Sequence, residues 1–471
     1  MAGLLGSMYT GNSGLQAASK GVSVVGDNIA NTNTVGFKSG RIHFQEMLQE
    51  YLVGSSGINQ VGRGVQMSRI EKLFTQGALQ FTGVPTDMAI DGDGFFVVNE
   101  PGQQQSPDMY TRAGQFRFDK DGFLVTQSGG RVQGYNSTGD GNLSGLLSDM
   151  QIENTNLAPK ASTEVNLSMN LDPNAEVIPG GFDPTDEASR DATSNFRTTV
   201  VLYDSLGNPH SVEVYGTRTS AADAGVTLGA GASPGEGEDS VWDFHAVIPS
   251  AELTGGNPLD PNAVTEFDLG TLVFNQNGQL SRSVSNGASI PWVGANAGTI
   301  DIGFGDPLYQ AAADPGTGDL IRIPKNSGRS GTTLWGEVRE SSLSNISQDG
   351  YGTGVLQNIT VDGNGFVTGA YNNGQSQILG QVAIARFNDP TGLTSNGGNN
   401  FLQSNSSGEP IVGAPRTGSR GGVVSGSLEA SNVELSEEFI QLISYQRAFQ
   451  ANSRTIQTAD GLMQEVFQIL R

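Results

Sequence analysis

No cysteine occurs among the 471 residues of this chain, which excludes disulfide bonds and thiol chemistry. Only 15% of the residues are charged, and the net charge of −23 argues against nucleic acid or an anionic membrane surface as a partner. No stretch approaches the roughly 20 consecutive apolar residues that a membrane-spanning helix needs, so we expect no membrane insertion. The N-terminus also lacks the basic start and apolar run of a cleavable secretory signal.

Proline is missing from both ends of the chain, because all 19 prolines lie between Pro85 and Pro415. Glycine is abundant, with 66 residues, and favours β-rich domains with many tight turns in the middle. The length is too great for a single core, so several domains are expected. The composition therefore predicts helix-compatible ends on either side of a turn-rich β region.

Motifs for catalysis are scarce. None of the three histidines, His43, His210 and His245, has a metal-ligand spacing such as H-E-x-x-H, so we expect packing or surface roles for them. The segment Gly231–Gly235 matches the letters of a nucleophile elbow. It has no strand before it and no helix after it, so we interpret the match as chance.

Two short acidic segments, Asp91–Asp93 and Asp119–Asp121, begin like calcium loops. Phe95 and Phe123 stand where a third oxygen ligand belongs, so hairpin turns are the better interpretation. We therefore predict no metal, no cofactor and no enzymatic activity.

The C-terminal segment carries an apolar residue at every seventh position. A seam with this period keeps one face of a helix against a partner helix. At about 1.5 Å per residue the helix would be on the order of 54 Å long, so its stripe needs a partner to cover it. The predicted seam positions are Leu435, Leu442, Phe449, Ile456, Met463 and Leu470.

The N-terminal segment has the same seven-residue period and is the natural partner. Six glycines between Gly3 and Gly26 each cost about 1 kcal/mol of helix propensity, and Lys20 and Asp27 are its only charges before Asn31. We therefore expect this helix to form only on assembly, with an uncharged face against more protein or a cavity. The predicted seam positions are Leu4, Met8, Leu15, Val22 and Ile29.

Between the ends, one device recurs: a strand, an Asp-x-(Asp/Asn)-Gly turn, and an aromatic residue that opens the next strand. It occurs at 90–98, 116–124 and 359–367, with a weaker version at 275–278. Residues 41–52 are predicted to form a short helix and residues 65–74 an extended segment. Because the device appears early and late in the chain, one β domain is expected to be interrupted by an insertion.

The predicted fold is α + β and multidomain, with paired terminal coiled-coil helices and at least two antiparallel β domains, the middle one inserted into the other. The inserted region holds 15 of the 23 net negative charges, and we expect it to face solvent. The predicted divisions are a terminal helical domain (1–31 and 425–471), a connecting segment (32–84), an inner β domain (85–150 and 334–424) and an acidic outer β domain (151–333).

Three motifs in this order resemble the bacterial flagellar rod and hook family. The first spans residues 30–38, the second is the predicted hairpin at 94–96, and the third runs from 428 to 452. Their matching residues at the two ends are Asn31, Asn33, Thr34, Gly36, Phe37, Lys38, Asn432, Gln446, Arg447, Phe449, Gln450 and Asn452.

The resemblance implies a structural subunit of a curved helical tube that joins the basal-body rod to the filament, couples motor torque flexibly and encloses the export channel. It implies contacts with copies of itself, with rod and hook–filament junction proteins, and with the hook cap and export apparatus during assembly. The implied location is extracellular, in the flagellar hook, reached by type III export without N-terminal cleavage.

Two alternatives remain at this stage. A distal rod protein of the same family would be straight and rigid, but such members lack so long a β insertion. A secreted glycan-binding or adhesin-like β protein would account for the glycine content and the acidity. It would not account for heptads at both termini.

Overall fold

A computed structural model gives the fold. The structure describes residues 2–47, 50–54, 57–100, 108–139, 141–152, 156–226, 228, 238–255, 263–285, 288–296, 298–304, 332–334 and 340–469. Leu470, the side chain of Leu4 and the segment 231–235 lie outside this description, so the predictions made for them stay predictions.

Two long helices occupy the ends of the chain: α1 at Ala2–Ala30 and α3 at Leu435–Ile469, with a short α2 at Glu187–Ala192 between them. Helix α3 begins with Glu437 and Glu438 in its first turn, where acidic groups stabilise the helix dipole. The two terminal helices pack against each other, which confirms the predicted pair. Among the described residues, no helix has the length and apolar character needed to cross a membrane.

The remaining regular structure is β, apart from single 3₁₀ turns at Ser250–Glu252 and Pro390–Gly392. The first strands are β1 Gly40–Glu46, β2 Glu50–Gly54, β3 Gly57–Val61, β4 Val65–Lys72, β5 Leu79–Phe81, β6 Met88–Asp91, β7 Phe95–Asn99, β8 Met109–Thr111, β9 Phe116–Phe118, β10 Leu124–Thr126, β11 Arg131–Asn136, β12 Ser148–Asp149, β13 Asn156–Leu157, β14 Glu164–Asn170 and β15 Phe196–Tyr203. The later strands are β16 Pro209–Thr219, β17 Glu238–Pro249, β18 Val264–Asn275, β19 Leu280–Ser285, β20 Ala288–Ile290, β21 Gly298–Gly303, β22 Ser342–Gln348, β23 Gly354–Val361, β24 Phe366–Tyr371, β25 Ser376–Val382, β26 Ile384–Arg386, β27 Thr394–Gly397, β28 Asn400–Leu402, β29 Ile411–Gly413, β30 Gly422–Ser425 and β31 Ser427–Glu429.

The contacts divide the chain into two units. Unit 1 contains residues 1–155, 356–371 and 376–471, and unit 2 contains residues 156–355 and 372–375. In unit 1 the main sheet has the order β23-β24-β25-β11-β7-β8-β28-β27, so three strands from early in the chain lie between strands from late in it. Antiparallel pairing of β11 with β25 and of β7 with β26 joins the two parts.

Within its described residues, unit 1 also holds four two-stranded antiparallel sheets, β1–β4, β2–β3, β5–β31 and β6–β30. The last two each join an N-terminal strand to a C-terminal one. The apolar core of this unit includes Ile90, Phe96, Val132, Val382 and Ile384, all with 0% exposure. Both ends of the chain therefore depend on each other for backbone pairing and for core burial.

Unit 2 has an antiparallel sheet, β15-β16-β17-β18-β19, and a second sheet, β20-β21-β14-β22, in which β14 and β21 run parallel. Trp242, Phe244 and Phe274 lie in a core to which both sheets contribute. The longest strands of its first sheet include β16 and β17, which pair with each other in antiparallel register.

The repeated turn device is built by a side-chain carboxylate. Asp119 Oδ1 accepts hydrogen bonds from the amides of Asp121 (2.9 Å) and Phe123 (2.8 Å). Asp362 Oδ1 makes the equivalent bonds, including one of 2.8 Å from the amide of Phe366. These carboxylates serve the backbone of antiparallel hairpins, β9–β10 and β23–β24, as predicted.

Two predictions are wrong. The strands before and after Gly92 and Gly94 do not form a hairpin: β6 pairs with β30, and β7 pairs with β8, β11 and β26. Both glycines have left-handed φ values of +101° and +136°, which turn the chain from one sheet into the other. The helix predicted at 41–52 is instead strand in β1 and β2, because the alternating Ile42 and Phe44 suit the pairing of β1 with β4.

Candidate assembly site

The face of α1 that meets α3 is rich in small residues. A Cβ at Gly11 would lie 2.8 Å from Ile456 Cγ1, and one at Gly14 would lie 2.5 Å from Asn452 Nδ2. Glycine therefore permits an approach that a larger side chain would prevent. The spacing alternates between three and four residues, as in a coiled-coil seam. The members of this small-residue face are Gly11, Gly14, Ala18, Gly21, Val25 and Asn28.

The opposing face of α3 supplies the larger side chains. The ring of Tyr445 lies over Gly21, where an added Cβ would be 2.8 Å from the ring carbons. The same ring meets Phe44 of β1 edge-on, with 6.3 Å between the centroids. Farther along, Ala459 is buried with 4% exposure. Knobs on α3 thus fill hollows on α1, and β1 closes one side of the pair.

The predicted seam residues lie mostly beside this contact rather than in it. On α1 the side chains of Met8, Leu15, Val22 and Ile29 are half-buried. On α3, half-buried positions alternate with exposed ones. The half-buried seam residues of α3 are Leu442, Ile456 and Met463, and the exposed ones are Leu435 and Phe449.

Three charged side chains meet inside unit 1 where the two ends of the chain converge. Lys38 Nζ lies 2.6 Å from Glu429 Oε1, and Arg112 Nη1 lies 3.2 Å from Glu429 Oε2. The side chains of Lys38 and Glu429 have 0% exposure and that of Arg112 has 4%. Lys38 Nζ also donates to the carbonyl of Thr75 at 2.7 Å, and the amide of Gly77 donates to Glu429 Oε1 at 2.8 Å. We call Lys38, Arg112 and Glu429 the ionic core.

Burial lowers the pKa of Lys38, and the charge of Glu429 acts in the opposite direction. Burial lowers the pKa of Arg112 as well, again against the influence of Glu429. Removing one member of a buried ion pair costs about 3–5 kcal/mol, because the other charge is left without a partner. The ionic core therefore holds residues of three distant segments in one fixed arrangement.

The first family motif, residues 30–38, packs beside the ionic core. Gly36 has a left-handed φ of +68°, and a Cβ there would lie 2.6 Å from the amide nitrogen of Ala113. Its own amide donates to the carbonyl of Glu429 at 2.7 Å. Phe37 is buried under the ammonium of Lys72, 4.4 Å from the ring centroid. Glycine is required at this position both for the backbone conformation and for the close approach.

Asn432 ties the start of the C-terminal segment to the first motif. Its Oδ1 accepts a hydrogen bond of 2.8 Å from the amide of Ser39. Its Nδ2 donates to the carbonyl of Leu73 at 2.8 Å and to the hydroxyl of Thr75 at 2.9 Å. A side-chain amide offers both donors and acceptors, so asparagine bridges segments that have no regular pairing here.

Asn28 makes a similar bridge at the end of α1. Its Oδ1 accepts from the amide of Gly40 at 2.8 Å, and its Nδ2 donates to Glu438 Oε1 at 2.9 Å. Glu438 is buried with 8% exposure, and its other oxygen, Oε2, has no hydrogen-bond partner among the described residues. Burial raises the pKa of this carboxyl group, while the bond from Asn28 acts in the opposite direction.

The remaining motif residues separate into two groups. Asn31 accepts a hydrogen bond of 3.1 Å from the hydroxyl of Thr34 in the turn after α1, and Asn452 packs against Gly14. The exposed members are Asn33, Gln446, Arg447, Phe449 and Gln450. The structure therefore brings the first motif together with Asn432. We call this region, with the ionic core and the Asn28–Glu438 contact, the junction. The 446–450 part of the third motif lies on the outer side of α3.

Sequence reasoning missed the residues that complete the junction. They are Arg112, Glu429, Asn28 and Glu438, of which only Glu429 stands alone between two apolar residues, Leu428 and Ala430. An isolated charge in such a segment indicates a buried partner somewhere in the chain. It does not indicate which partner, since the three members of the ionic core are far apart in sequence.

The histidines of unit 2 have packing roles. His210 stacks on Trp292 with 3.9 Å between the centroids, and its Nδ1 lies 2.7 Å from Glu252 Oε2. His245 stacks on Phe182, and carboxylates on both sides raise its pKa against the effect of burial. Each ring is held between an aromatic face and carboxylates, as expected for a role in packing.

Comparison with known proteins covers the ends and both β regions. The family model for the flagella basal body rod protein matches residues 8–38, and that for the flagellar basal body rod FlgEFG protein C-terminal matches 424–469. The flagellar hook protein FlgE/F/G D1 domain matches 89–171, and the flagellar basal body protein FlaE D2 domain matches 166–351. Paired terminal helices and these four matches define a protein of the flagellar rod and hook class.

Relatives that align with nearly the whole chain identify the family within this class. The flagellar hook protein FlgE of Treponema pallidum is 31% identical over 99% of this chain and 100% of that protein. The FlgE of Borreliella burgdorferi is 32% identical with the same coverage, and that of Salmonella typhimurium is 32% identical over 96% of both chains. The chain belongs to the flagellar hook protein FlgE family. Its role is that of a structural subunit of the hook.

Proposed function

We propose that the chain polymerises with copies of itself into a curved tube that joins rod to filament, transmits torque as a flexible coupling and encloses the export channel. The observation that carries the proposal is the outer face of α3, which α1 leaves uncovered. Its apolar side chains are between 43% and 69% exposed. A contiguous apolar stripe of this kind indicates an interaction site. The stripe consists of Leu435, Phe439, Ile440, Ile443 and Phe449.

The predicted seam residues supply the assembly contacts in this proposal. Leu442, Ile456 and Met463 are half covered within one chain, so a neighbouring copy can complete their burial. Each Leu or Phe that passes from exposed to buried contributes roughly 1.5–3 kcal/mol. The exposed positions of α1 include two charges, Lys20 and Asp27. Its exposed uncharged residues, such as Asn12, Gln16 and Ser19, suit the lining of a channel.

The same proposal assigns partners, an export route and roles for the domains. The rod and hook–filament junction proteins are the partners at the two ends of the tube, and the hook cap and export apparatus act during assembly. The chain reaches the extracellular hook by type III export without a cleaved signal. Residues 1–31 and 425–471 form the helical domain of the tube. Residues 151–333 form an acidic outer domain inserted into the β domain that carries the junction.

The test replaces seam residues with a charge. In the double variant Leu442→Asp/Phe449→Asp, a tube would bury carboxylates without a counter-ion, which costs several kcal/mol for each contact. We expect a folded monomer, because Phe449 is 44% exposed in the single chain, and no polymer in electron micrographs. Wild-type protein should form curved tubes under the same conditions.

The matched control is Phe449→Leu, which keeps an apolar side chain and should polymerise. Circular dichroism of each variant separates loss of assembly from loss of fold. Normal tubes from the double variant would remove the α3 stripe from the assembly contacts. Straight rods, or no polymer at all from wild type, would contradict the proposed function itself.

A further inference from the structure

The carboxylate of Glu429 is the counter-ion of two buried cations, Lys38 and Arg112, that lie much earlier in the sequence. Glu429 follows Lys38 by 391 positions and Arg112 by 317. Among the residues that the structure describes, no other carboxylate lies within ion-pair distance of either cation. The N-terminal part of unit 1 therefore contains two buried positive charges whose counter-ion lies near the other end of the chain.

The backbone of β5 and β6 depends on the same late segment independently of charge. Strand β5 pairs with β31, and strand β6 pairs with β30. The amide of Gly36 likewise donates to the carbonyl of Glu429. Residues 422–429 thus supply both the strand partners and the counter-ion of a region that ends near residue 112. A fold formed without them would bury unpaired cations and unpaired strand edges.

We infer that Glu429 makes the folding of the N-terminal part of unit 1 wait for the arrival of the C-terminal segment. In a chain that emerges from an export channel with its N-terminus first, early residues would remain unfolded until residue 429 appears. This use of the dependence rests on the proposed function, but the dependence itself is a property of the isolated monomer. Glu429 would thus control a folding step, since the segments that contain Lys38 and Arg112 can pack only when this carboxylate is in place.

The experiment is pulse-labelling hydrogen exchange during refolding of the full chain as a monomer. The reporters are amides of β7 and β8, which pair with each other directly before Arg112, and amides of residues 427–429. Fluorescence of Trp242 and Trp292 follows unit 2 separately. We expect β7, β8 and residues 427–429 of wild type to become protected in one kinetic step.

Two variants isolate the charge. In Glu429→Gln, a carboxamide of similar shape leaves both cations without a counter-ion, so the Gly36 and Gly77 amides should exchange at least about a hundredfold faster than in wild type. Glu434→Gln changes an exposed carboxylate nearby and should exchange as wild type does. In Lys38→Met/Arg112→Met/Glu429→Leu, the charges are replaced by apolar groups, and β7 and β8 should gain protection before residues 427–429.

Protection of β7 and β8 before residues 427–429 in wild type would overturn the inference. So would exchange in Glu429→Gln that matches Glu434→Gln. If the triple variant does not fold, Glu429→Asp is the second test, because it keeps the charge and should keep the single protection step. Assembly plays no part in these measurements, so a failure of the proposed function would appear in micrographs and not here.

Discussion

The side-chain amide of Asn28 donates a hydrogen bond of 2.9 Å to Glu438 Oε1, across 410 positions of sequence. The two residues lie at the end of α1 and in the first turn of α3. Asn28 is also bonded to Gly40, so one side chain holds a helix end, a strand start and the opposite helix together. The contact fixes how the terminal helices leave the junction, and it contains a titratable group.

The first prediction concerns the pH dependence of this contact. The pKa of Glu438 is raised in the folded protein, so the folded state binds a proton more tightly than the unfolded state does. The stability that protonated Glu438 contributes is therefore fully present below the ordinary value of 4.5, and it is lost as the pH rises through the raised pKa. Urea unfolding of the polymer, in which the helix pair is ordered, should show this fall by circular dichroism.

Glu438→Gln should flatten that pH dependence and stabilise the pair by about 1 kcal/mol at neutral pH, because a neutral amide is less costly to bury than a carboxylate. Glu434→Gln, at an exposed position, is the control and should keep the wild-type pH dependence. An unchanged profile in Glu438→Gln would show that another group titrates.

The second prediction separates two roles of glycine in α1. Gly21→Ala places a methyl group 2.8 Å from the ring of Tyr445, so we expect the helix pair to lose about 1–3 kcal/mol through overpacking. Gly26→Ala meets nothing within 4 Å and should gain up to about 1 kcal/mol of helix propensity. Thermal unfolding of polymers of both variants, in which the helix pair is ordered, gives the comparison. Equal gains in both would mean that α1 and α3 are not in close contact at Gly21.

The third prediction concerns order in the terminal helices. One face of α3 remains apolar and exposed in the single chain, and α1 contains many glycines, so neither helix is well supported without neighbours. Amides from about residue 2 to 25 and beyond about residue 440 should exchange rapidly in the monomer and become protected in the polymer. Amides of β7 should be slow in both forms. Slow exchange of both helices in a verified monomer would show that they are preformed.

The fourth prediction concerns removal of unit 2. Excision of residues 151–333 deletes β14 but leaves its neighbour β22 without that partner, whereas excision of 156–355 removes both strands. We therefore expect the second deletion, closed by a short linker, to keep the β structure of unit 1 and the first to aggregate more readily. Circular dichroism and size-exclusion chromatography give the result. Loss of β structure in both would mean that unit 1 depends on the deleted region.

Local patterns predicted much of this fold because each pattern has a local cause. The seven-residue period predicted both terminal helices, and the Asp119 and Asp362 turns predicted hairpins since their bonds lie within one turn. The small-residue face of α1 was not predicted. In the sequence the glycines indicate only a loss of helix propensity, because the space that they leave is filled by Tyr445 and Asn452 of the other helix.

The junction shows the limit more clearly. The motif residues Gly36, Lys38 and Asn432 were identified from the family resemblance, but Arg112 and Glu429 were not. Their roles depend on contacts among three segments that lie far apart in the sequence. The apolar residues of 41–52 were ambiguous for a related reason: their pairing partner, β4, decides that β1 is a strand.

The cross-links between the two ends also determine how the protein carries mechanical load. Asn28–Glu438, Lys38–Glu429 and Ser39–Asn432 lie within a short stretch on each side of the connection. A pull along the paired helices therefore strains these bonds together. Force that enters through either terminal helix is shared between both ends of the polypeptide before it reaches the β sheet.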